Sequence, residues 1–441
     1  MNQKIRILGA VALSGAFSGA FSCALPCAVT PALAQAASVS DSDVVEAYDY
    51  MLARWLVLRQ ETLDFKDGFK WNEVVRRGLG GGEPANPNFD TALSEAWIAV
   101  DDTSCTLIDL PDIRGRYYTV EIVNGWGEVI DNLNERTYPK HPFGTFALCL
   151  DKAKVDLPAD AQRIEVAGNT SRILIPIELG ADPAEALALQ NAITIRATGT
   201  PKIDDAVVKP DFVNDKLPGV EAFDQAERVL GSEPDINKGM AEPASKARAV
   251  AAAAADPARR AHIDEVIRSQ AVPAFFAAIP KMSLAANGWV HPRLTGNYGQ
   301  DYLLRSIVDF TDIWANTPWE VVYFHGRRFD GNQTYTETYS KDALSALKAR
   351  VWSVVAFDAG NDRVIPNPLN RFLLDNRSDL KLNADGSLTL VFAPQLPDGV
   401  PQSNWLPTPA GQNYDLTYRF YAPAKSLIEG RYFPPLLSIR P

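Results

Sequence analysis

Short apolar runs that alternate in period two, punctuated by Gly, Pro, Asn and Asp, fill both ends of this 441-residue chain, and a helical stretch separates them. No other feature limits the fold as strongly. Runs at 95–100, 105–110, 117–123, 145–150 and 172–177 read as strands, followed by a helical 183–190 and a strand at 192–197. A second group lies at 320–325, 334–339, 349–357, 388–392 and 414–421. Short alternating strands between turns predict antiparallel sandwiches or barrels. Residues 41–64 carry apolar side chains at helical spacing behind the capping run Ser40-Asp41-Ser42-Asp43. Residues 200–220 read as a linker. The chain then turns helical to about 278, with an Ala-rich 241–255 and a restart at Asp256-Pro257, and again over 302–313. The expected fold is therefore mainly β with a helical insert: two antiparallel β-sandwich or jelly-roll-like domains. The expected boundaries are 35–200 with its leading helix, 201–318 as linker and helical segment, and 319–441 as the second sandwich.

The start of the chain is basic at Lys4 and Arg6, then small and apolar as far as Ala32-Leu33-Ala34. That order reads as a secretory signal peptide spanning 1–34, cleaved after Ala34. Ser, Gly and Pro interrupt the apolar stretch and make it a poor membrane span. Cleavage removes two cations and no acid, which takes the net charge from −11 to −13. An acidic exported chain is a poor partner for nucleic acid or an anionic membrane. The expected location is periplasmic or secreted. Cys23 and Cys27 leave with the leader, and Cys105 and Cys149 remain. In an oxidising compartment these two are either a disulfide or two separate buried thiols.

Metal-ligand spacings, nucleotide loops and nucleophile elbows are missing from the sequence, so no metal or cofactor is expected. The Gly-rich run 78–84 lacks the Lys-Ser/Thr ending of a phosphate loop and reads as a surface loop. Two kinds of site remain. Paired carboxylates would serve a hydrolase or lyase, with Asp90 and Asp330 as the catalytic candidates, although Asp-Gly is also ordinary turn chemistry. Aromatic, amide and guanidinium groups would hold a carbohydrate-like or carboxylate ligand. The candidates are Trp352, Asn404, Trp405, Arg371, Arg419 and Tyr421 in the second half, and Asn88 and Arg116 in the first. In the bland alternative Trp405 plugs the sandwich end, Arg419 locks a strand, and Asp90 pairs with Arg116. His141 and His291 are expected in solvated loops, His262 on a helix surface, and His325 in a core. Asn383-Ala384-Asp385-Gly386 reads as a hairpin turn between two strands.

Several of these residues stand in a familiar order. Asn88-Phe89-Asp90-Thr91, Pro111 and Arg116-Tyr117-Tyr118 resemble the domain-of-unknown-function family 1254. Tyr302-Leu303-Leu304-Arg305, Phe329-Asp330-Gly331, Val351-Trp352-Ser353, Asn404-Trp405-Leu406-Pro407, Arg419-x-Tyr421-x-Pro423 and Gly430-x-x-x-Pro434-Pro435 resemble family 1214. Leu93 stands where the first family tends to have Tyr. The resemblance implies two sandwich-like domains with a helical insert and implies no reaction. The reading that follows is an exported protein that binds a small polar ligand in a cleft. A hydrolase or lyase using turn carboxylates, and an envelope structural or interaction protein, are the alternatives.

Overall fold

The computed structural model describes residues 39–79, 88–346, 349–361 and 363–440. The expected signal segment with Cys23 and Cys27, residues 80–84 of the Gly-rich run, and Asn86-Pro87 lie outside the described residues. Among the described residues no helix is long and apolar enough to cross a membrane.

The chain opens with α1 (Asp41–Lys66), started by a capping box in which Ser40 and Asp43 exchange side-chain and backbone bonds. The first β region follows: β1 (Val75–Arg76), β2 (Thr91–Ala99), β3 (Thr106–Leu110), β4 (Val120–Val123), β5 (Val129–Leu133), β6 (Gly144–Leu150), β7 (Gln162–Val166) and β8 (Thr170–Glu178), then α2 (Pro183–Ala192) and β9 (Thr194–Ala197). These strands form two sheets, β1-β2-β8-β4-β5 and β7-β6-β3-β9. Ile122, Ile173 and Ile175 of one sheet meet Ile108, Phe146 and Leu148 of the other in a shared core, so the region is a sandwich. In the second sheet Cys105 and Cys149 are joined as a disulfide, with Cα atoms 4.5 Å apart.

Helices α3 (Ala226–Ser232), α4 (Ala241–Ala253), α5 (Pro257–Val266) and α6 (Val272–Ala278) come next. Asp256 caps α5 and Pro257 takes its first turn, where a missing N–H costs nothing. Then come β10 (Ser283–Ala286), β11 (Trp289–Pro292) and α7 (Tyr302–Thr311). The leading helix α1 packs with this helical segment, and Met51, Trp55, Val250, Ile267 and Ile307 share one core. Its apolar side chains run almost all the way round from Val44 to Leu58, which is the pattern of a helix buried on every side. Tyr48 and Trp55 donate to the carbonyls of Pro218 and Ala222, so part of the expected linker is pinned to α1.

The second β region comprises β12 (Val321–Asp330), β13 (Tyr335–Tyr339), α8 (Lys341–Ala346), β14 (Val351–Asp358), β15 (Leu373–Asp375), β16 (Leu388–Ala393), β17 (Trp405–Pro407), β18 (Asn413–Tyr421), α9 (Lys425–Ile428) and β19 (Ser438–Ile439). Its sheets are β10-β11-β12-β18-β14-β15 and β17-β16-β13-β19. Phe324, Val354, Tyr418 and Phe420 face Leu390, Phe392 and Leu406 across a second sandwich core. Among the described strands pairing is antiparallel except at two sheet edges, β6 with β7 and β16 with β17, and an isolated bridge joins Trp71 to Trp97 in parallel.

Three local expectations change. Residues 380–382 are not a strand, because the Asn404 side chain takes the place of one: its amide accepts from Lys381 N and donates to Lys381 O, both at 2.8 Å. Strand β5 escapes the sequence pattern because Asp131 and Asn132 interrupt it; the Asn132 amide is buried against Asn316. His291 lies buried on β11, not in a solvated loop, because its ring packs on Phe324 and Phe433.

Candidate functional site

The two faces of β18 separate the aromatic-rich stretch into core and site. Strand side chains alternate, so Tyr418 and Phe420 point inward while Thr417, Arg419 and Tyr421 share the outer face. The register carries that face across the sheet: Arg419 lies opposite Tyr323 of β12 and Ser353 of β14, and Thr417 lies opposite His325. Trp352 falls on the inner face and is buried in the core beside Tyr418.

Residues from the first β region and from the end of α7 cover this outer face and leave a cleft of about 420 Å³. Asn88, Asn214, Thr311, Asp312, Trp314, Tyr323 and Arg419 are among its lining residues, as are Arg327, Phe357 and Thr417. Trp314 holds its backbone at φ 67°, a left-handed conformation rare for a bulky side chain. Its ring meets the edge of Trp97, and the buried guanidinium of Arg172 lies 6.0 Å from it. Arg172 is in turn held by Asp64 and Glu95 at 3.2 and 2.6 Å.

Behind the cleft lies Asp90, fully buried. Its carboxylate accepts from Ser353 Oγ at 2.7 Å and from the Tyr421 hydroxyl at 3.1 Å. The Asn88 amide donates to the same Tyr421 oxygen at 2.9 Å, and Asn88 Oδ1 accepts from Asp90 N at 2.8 Å. Burial raises the Asp90 carboxyl above its ordinary range, and the Arg419 charge and the Ser353 bond oppose that rise. Burial likewise pushes up the Tyr323 and Tyr421 hydroxyls. His325 is 7% exposed, with Nδ1 3.3 Å from Thr417 Oγ1 and Nε2 3.5 Å from Asp312 Oδ1. Burial lowers its imidazole, and the nearby Asp312 carboxylate pulls the other way.

Of the residues singled out in the sequence, Asn88, Asp90, Arg419 and Tyr421 are brought together here. The others are not. Arg116 does not pair with Asp90; it binds Glu185 and donates to the carbonyls of Glu178 and Leu179. Asn404 spends its amide on Lys381 and Thr389 backbone, and Trp405 Nε1 donates to Ala393 O at 2.8 Å. Arg371 binds the carbonyls of Gln402 and Trp405. Asp330 accepts from Asn332 in its own turn. It pairs with Asn413, six positions along β18 from the Arg419 row that holds Ser353. At roughly 3.4 Å per residue that puts it about 20 Å from Asp90's partners, too far for a carboxylate pair. Asp312, Trp314, Tyr323, His325, Ser353 and Thr417 were not picked from the sequence. The period-two spacing of Thr417, Arg419 and Tyr421 was the one signal that could have recovered part of the set.

Comparison with known proteins adds the following. Residues 75–197 match the family model DUF1254, and residues 319–425 match DUF1214; both are described as protein of unknown function. No curated protein matches the chain. The crystal structure of the VPA0106 protein from Vibrio parahaemolyticus is similar at TM-score 0.63 and 18% identity, over 91% of this chain and 100% of that chain. At that identity the likeness concerns the fold alone. An uncharacterized protein from Burkholderia cenocepacia aligns over 92% of each chain at 12% identity and TM-score 0.43.

Proposed function

This chain carries a DUF1254 domain followed by a DUF1214 domain, and from the cleft where the two meet we propose that it binds a small polar ligand, carbohydrate-like or carboxylate-bearing. The observation that carries the reading is that Asn88, from the start of the first sandwich, and Arg419, from the last long strand of the second, line one cleft. Its volume falls within the range of small-molecule sites. Trp314, Tyr323 and Phe357 bring aromatic side chains to the cleft lining, where a sugar ring could pack. The Asn88 and Asn214 amides and the Thr311 and Thr417 hydroxyls match hydroxyl groups, and guanidinium groups match a carboxylate. We also propose that the protein is exported, periplasmic or secreted. Residues 1–34 supply the leader, and the joined Cys105 and Cys149 fit an oxidising compartment.

The test is calorimetric titration of the protein with D-glucose, myo-inositol and D-glucuronate. Binding by any of the three that falls at least about tenfold in both Asn88→Ala and Asn214→Ala, in chains with unchanged circular dichroism, supports the site; a loss of about 1.4 kcal/mol corresponds to that factor. Equal affinity in wild type and both variants, or no heat with any of the three, sinks it.

A further inference from the structure

We propose that Thr417, His325 and Asp312 form an acyl-transfer relay, which makes the cleft a hydrolytic site for a small O-acylated polyol. The proposal rests on reading the cleft as the ligand site and adds a reaction to it. Thr417 Oγ1 lies 3.3 Å from His325 Nδ1, and His325 Nε2 lies 3.5 Å from Asp312 Oδ1. Thr417 and Asp312 both line the cleft, and His325 sits between them. A hydroxyl beside an imidazole beside a carboxylate is the order of nucleophile, general base and orienting acid. Contacts of this kind run long in an unliganded site and tighten when substrate arrives.

The fold holds all three in place. Thr417 and His325 are register partners on β18 and β12, so the sheet sets their spacing. Asp312 follows the last turn of α7, where its backbone N–H donates to Val308 O at 2.7 Å. His325 Nε2 makes no hydrogen bond among the described residues and lies 3.5 Å from the Asp312 carboxylate, the acid of the relay. Burial and the Arg327 and Arg419 charges lower the imidazole, and the Asp312 and Asp415 carboxylates oppose that fall and favour the imidazolium the relay needs. Arg419, two residues along the same strand face, brings a positive charge to the same cleft.

In the reaction, Thr417 Oγ1 bonds to the acyl carbon of the ester and its proton passes to His325 Nδ1. Asp312 stabilises the imidazolium through Nε2–H. As the ester C–O bond breaks, the Nδ1 proton moves to the departing alcohol oxygen. Water then attacks the acyl-threonine by the same route, releasing the carboxylic acid and restoring the Thr417 hydroxyl. No redox partner or cofactor enters the balance. Thr417 and His325 are the catalytic residues, and Asp312 is a positioning residue.

The test treats the full chain with diisopropyl fluorophosphate, maps the label by peptide mass spectrometry, and measures p-nitrophenyl acetate hydrolysis. The expected result is a single label on Thr417. Thr417→Ala should lose the label and at least about 100-fold in turnover, while Thr417→Ser, which keeps the hydroxyl, retains both. Asp312→Asn should lower kcat and leave KM unchanged, which a purely structural role would not do. No label, a label elsewhere, or undiminished hydrolysis by Thr417→Ala overturns the relay. Heat from the sugar panel with Thr417 unlabelled removes the relay and leaves the binding reading. A labelled Thr417 with no heat from the panel keeps the relay and removes that ligand class.

Discussion

Ser353 Oγ donates to the buried carboxylate of Asp90 at 2.7 Å, across 263 positions of sequence. This bond ties the first β region to the outer face of the second sandwich, directly behind the cleft. Ser353→Ala removes one of the groups that oppose the burial-driven rise of the Asp90 carboxyl and so favour its ionised form, and leaves a buried oxygen short of a donor. The expected cost is about 2 kcal/mol, read as a lower urea midpoint with an unchanged slope. An unmoved midpoint would mean that Asp90 is satisfied without Ser353.

Asn404 belongs to the frame and not to the site. Its amide makes bonds to Lys381 N, Lys381 O and Thr389 O. Asn404→Ala should therefore cost about 2–3 kcal/mol of stability and leave the ligand affinity of the folded protein untouched. Asn88→Ala should lower affinity and, because its amide also bonds Tyr421 and Asp90 N, lower stability as well, so calorimetry on the folded proteins is the measurement that separates the two variants. Lost affinity in a stable Asn404 variant would return the β16–β17 edge to consideration as a binding surface.

Glu337 makes stability depend on pH. It is fully buried in the second sandwich, where Tyr418 donates to it, and burial raises its carboxyl to about 8. The folded state therefore holds a proton that the unfolded state releases near 4.5. Stability from this group is fully present below the unfolded value and falls as pH rises toward the folded one, by at most about 1.4 kcal/mol per pH unit. Glu337→Gln keeps the shape and cannot ionise, so its urea midpoint should fall less than the wild-type midpoint between about pH 5 and about pH 8. Parallel curves for the two proteins would show that Glu337 is ionised in the fold.

The disulfide closes a loop between residues 44 positions apart. Chain entropy alone assigns such a closure about 4 kcal/mol. The Cys105→Ser, Cys149→Ser double variant should show a lower melting temperature of matching size, and wild type with reductant should follow it. A melting temperature unmoved in both would show that the link contributes nothing to the protein's stability.

Local chemistry made much of the fold readable. The strands of both sandwiches follow from alternating side chains, α1 from its capping run, and α5 from Asp256-Pro257, because each depends on neighbours within a few positions. Where a tertiary partner replaced a local one, reading failed. The Asn404 amide stands in for a strand beside Lys381, and the buried Asn132–Asn316 pair hides inside β5.

For the site, the sequence by itself determined which residue types were on hand: Asn88 and Asp90 in a turn, and Arg419 and Tyr421 two apart on one strand. Only the tertiary structure decided which of the polar candidates meet. Backbone groups and local ion pairs hold Arg116, Arg371, Asn404 and Trp405 elsewhere, while Asn88 and Arg419 come to line one cleft. Asp312, His325 and Thr417 come from a helix end and two strands, and the register of β12 against β18 brings His325 to Thr417. That register is set by long-range pairing, which no local run of residues encodes.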